Sequence, residues 1–160
     1  MTHVCVDLEV LDGASEADAY LVVDTMAEAL VGAGGVPVAP AQLSGRAAFV
    51  GGFAEASVAV EAAIVGLWEA QKAHGELQLK VRIGVHTGDD SSLSVALAVL
   101  ATANGNQIVV SGATDAAAGG AFEARSMGSA SVVAEAEPLA LWIVTDSRPG
   151  VDRRPLRLPD

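Results

Sequence analysis

The stretch LQLKVRIGVHTGDD, from Leu77 to Asp90, carries the clearest periodic pattern in the sequence. Apolar residues alternate with polar residues or glycine, which is the period of a strand with one buried face. The apolar positions are Leu77, Leu79, Val81, Ile83 and Val85, and the opposite positions are Gln78, Lys80, Arg82, Gly84 and His86. Gly88 and the two aspartates that follow it end the pattern. We therefore expect a long central strand whose polar face looks into a groove or at a partner.

The segments on either side of this strand show alternating strand and helix patterns. They predict strands at 4–10, 36–39, 43–50, 108–110, 122–127, 131–134 and 139–144, and helices at 15–33, 53–74, 93–104 and 114–119. The order through the central strand is the βαββαβ plan of a ferredoxin-like core, followed by further C-terminal strands. Right-handed crossovers would place the helices on one face of an antiparallel sheet, so we expect an α+β fold.

The composition indicates one compact domain. The chain has 160 residues, of which 51% are hydrophobic and 18% charged, and this argues against disorder. We expect a folded domain at 1–146 and a basic, proline-containing tail without fixed structure at 147–160. The net charge is −11 and the negative charge is concentrated in the body, which would repel phosphate backbones. The sequence therefore predicts no binding to nucleic acid.

Several observations favour a cytoplasmic protein. No apolar run approaches the roughly 18 residues needed to cross a membrane. The N-terminal residues lack the basic flank and the cleavage site of a secretory signal. Cys5 is the only cysteine, so it cannot form an internal disulfide, and we expect it to be a small buried apolar residue and not a nucleophile.

The segment VRIGVHTGD, at 81–89, resembles the core signature of the class III nucleotidyl cyclase homology domain. In that family a strand of this kind is followed by a short helix and a Gly-Gln strand, and here GNQIVVSGAT, at 105–114, follows at a matching distance. The resemblance extends over about residues 3–144. It implies a cyclase-like ferredoxin core and an active site shared between two subunits, in which paired aspartates hold two metal ions.

The metal half of that site departs from the family. The resemblance places the first aspartate at Asp7, in VCVDLE, and the second in a Gly-Asp pair on the next hairpin. This chain reads SGRAAFV there, so Gly45 matches but Arg46 replaces the aspartate. A guanidinium repels a divalent cation, so Asp7 is the only family ligand kept, and we expect no metal and no cofactor.

The other half of the site departs as well. The family places an asparagine and an arginine one helical turn apart, where they orient the ribose and neutralise developing charge. Counting back from Gln107 without gaps, these positions fall on Ser94 and Ala98, and neither residue can do this work. The two lysines of the family fall near Gln42 and at Val133. With Asp7 and Arg46, Ser94 and Ala98 are vestigial catalytic positions, and we expect no catalytic residues.

Three functions remain open. The first is a non-catalytic cyclase homology domain, a pseudoenzyme that dimerises and acts as a regulatory or ligand-sensing module. The second is an active class III cyclase that forms cyclic AMP or GMP, and the third is an unrelated ferredoxin-like binding domain. The substitutions at Arg46, Ser94 and Ala98 favour the first. It would act with an unidentified small ligand or regulatory protein.

Two structural expectations follow from the polar faces of the strands. Asp7 and Glu9 share a strand face, and we expect Arg46 to take the place of the metal and pair with Asp7. We also expect a homodimer that uses the polar face of the central strand, where Lys80, Arg82 and His86 would complement the acidic body. His86 lies on the same face, and a structural role is favoured for it over a catalytic one.

Overall fold

The computed structural model describes residues 1–10, 13–40, 43 and 46–159. The strands are β1 (Thr2–Val10), β2 (Val36–Val38), β3 (Phe49–Phe53), β4 (Leu79–Thr87), β5 (Gln107–Ser111), β6 (Ala124–Ala130) and β7 (Leu139–Val144). The helices are α1 (Glu16–Gly32), α2 (Ala56–His74), α3 (Ser92–Thr102) and α4 (Gly112–Ala118). The described residues therefore form a mixed α and β structure, as expected.

The seven strands form one sheet in the order β2-β3-β1-β4-β5-β7-β6. The first four strands give the ferredoxin-like core, because β1 pairs antiparallel with both β3 and β4. The sheet is extended beyond β4 by β5, which runs parallel to it, and then by the antiparallel strands β7 and β6. The predicted α+β fold with additional C-terminal strands is confirmed.

The alternation that defined the central strand is confirmed by its burial. Val81, Ile83 and Val85 are at most 3% exposed and belong to the main hydrophobic core. The core is completed by residues from the two crossover helices, among them Met26 and Leu30 of α1 and Ile64 and Leu67 of α2. Burying apolar side chains contributes roughly 25 cal/mol per Å², so this layer supplies much of the driving force for folding. Helices α1 and α2 share one face of the sheet, as the βαββαβ plan requires.

The opposite face of the sheet is covered by α3 and is not an open groove along its whole length. Ala96 and Leu100 of α3 pack with Cys5 of β1 and Val50 of β3 in a second apolar cluster. The helix can come this close because residue 84 of β4 is glycine: a Cβ built at Gly84 would overlap the backbone of Leu100. The expectation of helices on one face therefore holds for α1 and α2, while α3 lies on the other face.

Two predicted segments need correction. The strand predicted at 43–50 begins only at Phe49 and continues to Phe53, so the following helix begins at Ala56 and not at residue 53. Gly51 and Gly52 lie inside this strand, close to the side chains of Phe53 and Met1 respectively. The strand predicted at 131–134 is absent from the structure, and β6 ends at Ala130.

The C-terminal residues are attached to the folded domain. Residues 147–159, here called the C-terminal strap, run along the body of the protein and are hydrogen-bonded to it. The Gln107 side chain donates to the backbone oxygens of Asp152 and Arg154, and the Asn104 side chain donates to that of Pro155. Val151 and Leu156 of the strap pack against an apolar cluster of α3, β5 and β7. The proline-rich composition indicated the lack of regular structure but not this attachment.

Among the described residues, no helix is both long enough and apolar enough to cross a membrane.

We expect Gly84→Ala to destabilise the fold, because its methyl group would push α3 off β4. Overpacking of this kind costs about 1–3 kcal/mol of unfolding free energy, measurable by urea denaturation. Gly32→Ala is the matched control, because a Cβ at Gly32 meets no atom within 4 Å. An unchanged stability for Gly84→Ala would contradict the close contact between α3 and the central strand.

Candidate functional site

Asp7 is a buried carboxylate in the middle of the sheet. Asp7 is 3% exposed, and it lies directly opposite Arg82 in the antiparallel ladder of β1 and β4. Opposite residues of such a ladder project from the same face. Arg82 Nε donates to Asp7 Oδ1 at 2.7 Å and Arg82 Nη2 donates to Oδ2 at 2.5 Å. The pair is thus bidentate, which is the strong geometry for a guanidinium and a carboxylate.

Arg46 makes a second contact with the same carboxylate. Its Nη2 donates to Asp7 Oδ2 at 3.0 Å, so the expected contact between Arg46 and Asp7 is present. The Arg46 side chain is 54% exposed, whereas that of Arg82 is 14% exposed. Arg82 is therefore the principal partner of Asp7, and Arg46 is an additional partner at the surface. Gly45 and Gln42, the other positions singled out near this hairpin, lie outside the described residues.

The donor set around Asp7 does not suit a divalent metal. Both carboxylate oxygens already accept hydrogen bonds from guanidinium groups, and Arg46 brings a positive charge to the same oxygen that Arg82 holds. A divalent cation prefers several oxygen ligands and would be repelled by these two charges. Among the described residues, no group of three or more His, Cys, Asp or Glu side chains could hold a metal ion.

A cavity of about 250 Å³ opens beside the Asp7 carboxylate. It is lined by Asp7, Leu43, Arg46, Arg82, Ser94, Leu97, Leu100 and Ala101. Three of the four vestigial positions, Asp7, Arg46 and Ser94, thus line one cavity. Ala98 is half-buried on α3 and is not among the lining residues, and neither is Val133. Ser94 donates its hydroxyl proton to the backbone oxygen of Ser91, at 2.9 Å.

Glu9, the second carboxylate on this face of β1, is held by the C-terminal strap. Arg157 Nη2 donates to Glu9 Oε1 at 2.5 Å, Arg154 Nη2 donates to Oε2 at 3.1 Å, and Gly105 N also donates to Oε2 at 2.7 Å. Partial burial works to raise the pKa of Glu9. The hydrogen bond from Gly105 and the two guanidinium groups outweigh it, so the pKa lies below its usual value. The two carboxylates are therefore kept apart, each with two arginines of its own.

Two histidines on the α3 side of the sheet form a separate buried network. His3 and His86 are directly opposite each other on β1 and β4, and each is 9% exposed. His3 Nδ1 lies 2.8 Å from Ser92 Oγ, and His86 Nδ1 lies 2.7 Å from Ser111 Oγ. Burial lowers the pKa of both imidazoles; the N-terminal ammonium lowers that of His3 further, and His3 lowers that of His86. These contacts agree with the structural interpretation of His86.

Cys5 is fully buried on the face of the sheet that α3 covers, where it packs with Val50, Ala96 and Leu100. Burial, with a smaller contribution from the charge of Asp7, raises the pKa of its thiol to about 12. A thiol that stays protonated and has no exposed surface is a poor nucleophile. The expectation of a small apolar role for Cys5 agrees with this placement.

Sequence reasoning missed Arg82 as the main partner of Asp7. Both residues lie on the polar faces of their strands, so either could have been paired with several others. The missing information was the register between β1 and β4, which places residue 7 opposite residue 82. A search for opposite charges at mutually consistent ladder positions could have found the pair, because Glu9 faces Lys80 in the same register.

Comparison with solved structures identifies the fold. An adenylate cyclase of Trypanosoma brucei, described in its monomeric state, superposes with a TM-score of 0.78 and 16% identity, over 99% of this chain and 94% of that chain. The adenylyl cyclase CyaB from P. aeruginosa superposes with a TM-score of 0.72 and 16% identity, over 98% of this chain and 96% of that chain. The dimeric guanylyl cyclase domain of the RhoGC fusion protein from the aquatic fungus Blastocladiella emersonii superposes with a TM-score of 0.66 and 15% identity. The match covers 89% of this chain and 94% of that chain.

No protein-family model matches this chain, and no curated protein matches its sequence. The similarity is therefore one of structure, and it covers nearly the whole chain. The chain has the fold of class III adenylate and guanylate cyclase domains.

We expect Arg82→Ala to be far more destabilising than Arg46→Ala. Removing Arg82 leaves the buried Asp7 carboxylate without its main partner, which costs about 3–5 kcal/mol. Removing Arg46 breaks one exposed contact, worth about 0–1 kcal/mol. Urea denaturation of the two variants measures the difference. A larger loss of unfolding free energy in Arg46→Ala than in Arg82→Ala would mean that Arg46 and not Arg82 neutralises Asp7.

We expect the stability to fall as the pH is lowered below about 6.5, the value for an unperturbed histidine. The folded pKa values of His3 and His86 are depressed, so the unfolded chain binds protons first and the free energy of unfolding decreases with falling pH. The slope reaches at most about 1.4 kcal/mol per pH unit for each histidine.

Urea denaturation between about pH 7.5 and about pH 5.5 tests this expectation. The variant His86→Gln keeps a hydrogen-bonding side chain without a titrating group, so its stability should change less over this range. An equally steep loss in His86→Gln would assign the pH dependence to other groups.

Proposed function

We propose that this chain is a non-catalytic cyclase homology domain that acts as a regulatory or ligand-sensing module. The observation that carries the proposal is the occupation of the Asp7 carboxylate by Arg46 and Arg82. The resemblance assigns this carboxylate to metal binding, and metal ions are central to phosphoryl transfer of this kind. Here tethered guanidinium groups stand where that chemistry needs a divalent ion.

An active cyclase is the alternative, and the full-length cyclase fold is the observation that favours it. The residues weigh against it on both sides of a shared site. The metal half has Arg46 in place of a carboxylate, and the helix positions that would orient the ribose and neutralise charge are Ser94 and Ala98. One protomer therefore could not supply what its partner lacks. The same full-length fold agreement argues against an unrelated ferredoxin-like domain.

Self-association is part of the proposal, because one fold neighbour is described as a dimeric cyclase domain. The charges first assigned to the interface need revision. Arg82 is engaged by Asp7, and His86 is buried against Ser111, so neither offers a free charge to a second copy. A small ligand or a regulatory protein remains the proposed effector. The single buried cysteine is in keeping with action in the cytoplasm.

We expect no cyclic AMP or cyclic GMP from ATP or GTP with manganese. The assay is run at concentrations where sedimentation velocity detects a dimer, so that an incomplete site is not mistaken for an unassembled one. The matched variant combines Arg46→Asp, Ser94→Asn and Ala98→Arg. If this variant forms a cyclic nucleotide and the unmodified chain does not, these three positions account for the missing activity. Product from the unmodified chain would overturn the proposal of a pseudoenzyme, and a chain that stays monomeric would remove the homodimer.

A further inference from the structure

One cluster of side chains on the face of the sheet that carries Asp7 has a net positive charge, although the chain as a whole is acidic. Five cationic side chains are gathered there around three carboxylates: Arg46, Lys80, Arg82, Arg154 and Arg157 with Asp7, Glu9 and Asp152. This set carries a net charge of +2 in a protein of net charge −11. Local charge of this sign attracts anions even when the molecule repels them on average.

The cavity beside Asp7 brings two of these cations to an accessible concave surface. A guanidinium group has five N–H donors in a planar fork. In the described contacts, Arg46 uses Nη2 and Arg82 uses Nε and Nη2, all toward Asp7. Both groups line the cavity, and the other N–H donors of each are not engaged by Asp7. Arg82 is fixed by two bonds, whereas Arg46 has one contact and is 54% exposed.

Apart from Ser94, the rest of the cavity wall is apolar. Leu43, Leu97 and Leu100 contribute to it, with Ala101 beside them. At about 250 Å³ the cavity is slightly smaller than the usual range for pockets that enclose a drug-sized molecule. Its size and lining fit a small molecule with an anionic head and a short apolar body.

We propose that this cavity binds a small oxyanion, a carboxylate or a phosphate monoester, through Arg46 and Arg82 and without a divalent metal. Arg46 swings from its single contact with Asp7 to the ligand, while Arg82 keeps Asp7 neutralised and offers N–H donors that Asp7 does not use. The apolar body of the ligand packs on the leucines. The proposal rests on the proposed function as a ligand-sensing module and names the chemical class of the ligand.

The test is a titration of the full chain with benzoate, with phenyl phosphate and with inorganic phosphate, all with EDTA, followed by NMR amide shifts and calorimetry. Millimolar binding of benzoate or phenyl phosphate, tighter than that of inorganic phosphate, is expected. The tighter of the two identifies the head group. Binding of neither ligand, or binding that requires magnesium, would overturn the proposal.

Three variants locate the site. Arg46→Ala should weaken binding about tenfold or more, because a hydrogen bond to a charged group is lost. Arg46→Lys should weaken it less, because the charge remains without the planar fork. Arg125→Ala is the matched control, since Arg125 is exposed on β6, at the far edge of the sheet. This variant should bind the anion as tightly as the unmodified chain does. Undiminished binding by Arg46→Ala would overturn the site.

Asp7→Asn distinguishes a binding role for Arg46 from a merely structural one. It removes the carboxylate that competes with the ligand for both guanidinium groups, so binding should become tighter, and weaker binding in a folded variant would contradict the proposal. The cyclase assay with manganese is independent of these titrations. If the chain makes cyclic nucleotides and still binds the anion in EDTA, the proposed function fails while this inference stands.

Discussion

The burial of the Asp7 carboxylate is the constraint around which this face of the sheet is built. A carboxylate that is almost fully removed from water is costly unless a cation and further hydrogen bonds compensate it. The register of β1 and β4 places Arg82 opposite, where two parallel N–H···O bonds satisfy both oxygens. Arg46 adds one contact to this pair, and the cavity opens beside all three side chains. The pair itself is neutral, so the positive charge that the cavity presents comes from Arg46.

A tethered guanidinium differs from a bound metal ion in more than its charge. It cannot dissociate, it stays protonated throughout the physiological pH range, and it has no coordination site to give to a substrate oxygen. A metal ion can bridge a carboxylate and a triphosphate, whereas a guanidinium that already holds the carboxylate donates only its remaining protons. The electrostatics of this site are therefore permanent and do not depend on metal supply.

Much of the fold could be predicted from the sequence because it is recorded in local periodicity. The alternation from Leu77 to Val85 identified the central strand and its buried face, and the order of elements gave the ferredoxin-like core. Register is a non-local property, and the pairing of Asp7 with Arg82 depends on it. The contact between Arg46 and Asp7 was expected only through the resemblance to cyclases.

The strap lay beyond sequence reasoning for a different physical reason. It has no repeating pattern, and its attachments join residues from 45 to 148 positions apart, the longest being those of Glu9 with Arg154 and Arg157. Such contacts leave no local signal. In the same way, the glycine pair in β3 carries the composition of a turn while it serves as a place of close packing.

The attachment of the strap has a mechanical consequence. Arg148 is anchored to Glu61 on α2, and Arg154 and Arg157 are anchored to Glu9 on β1, so the last segment of the chain is tied to two layers of the fold. A tension applied to the C-terminal end would first load the contacts of Arg157 with Glu9, with the Asn104 side chain and with the backbone oxygen of Thr102. Glu9 is two residues from Asp7 along the same strand, so the load would reach the backbone beside the buried ion pair. Tension on the end of the chain would thus be transmitted to the central sheet.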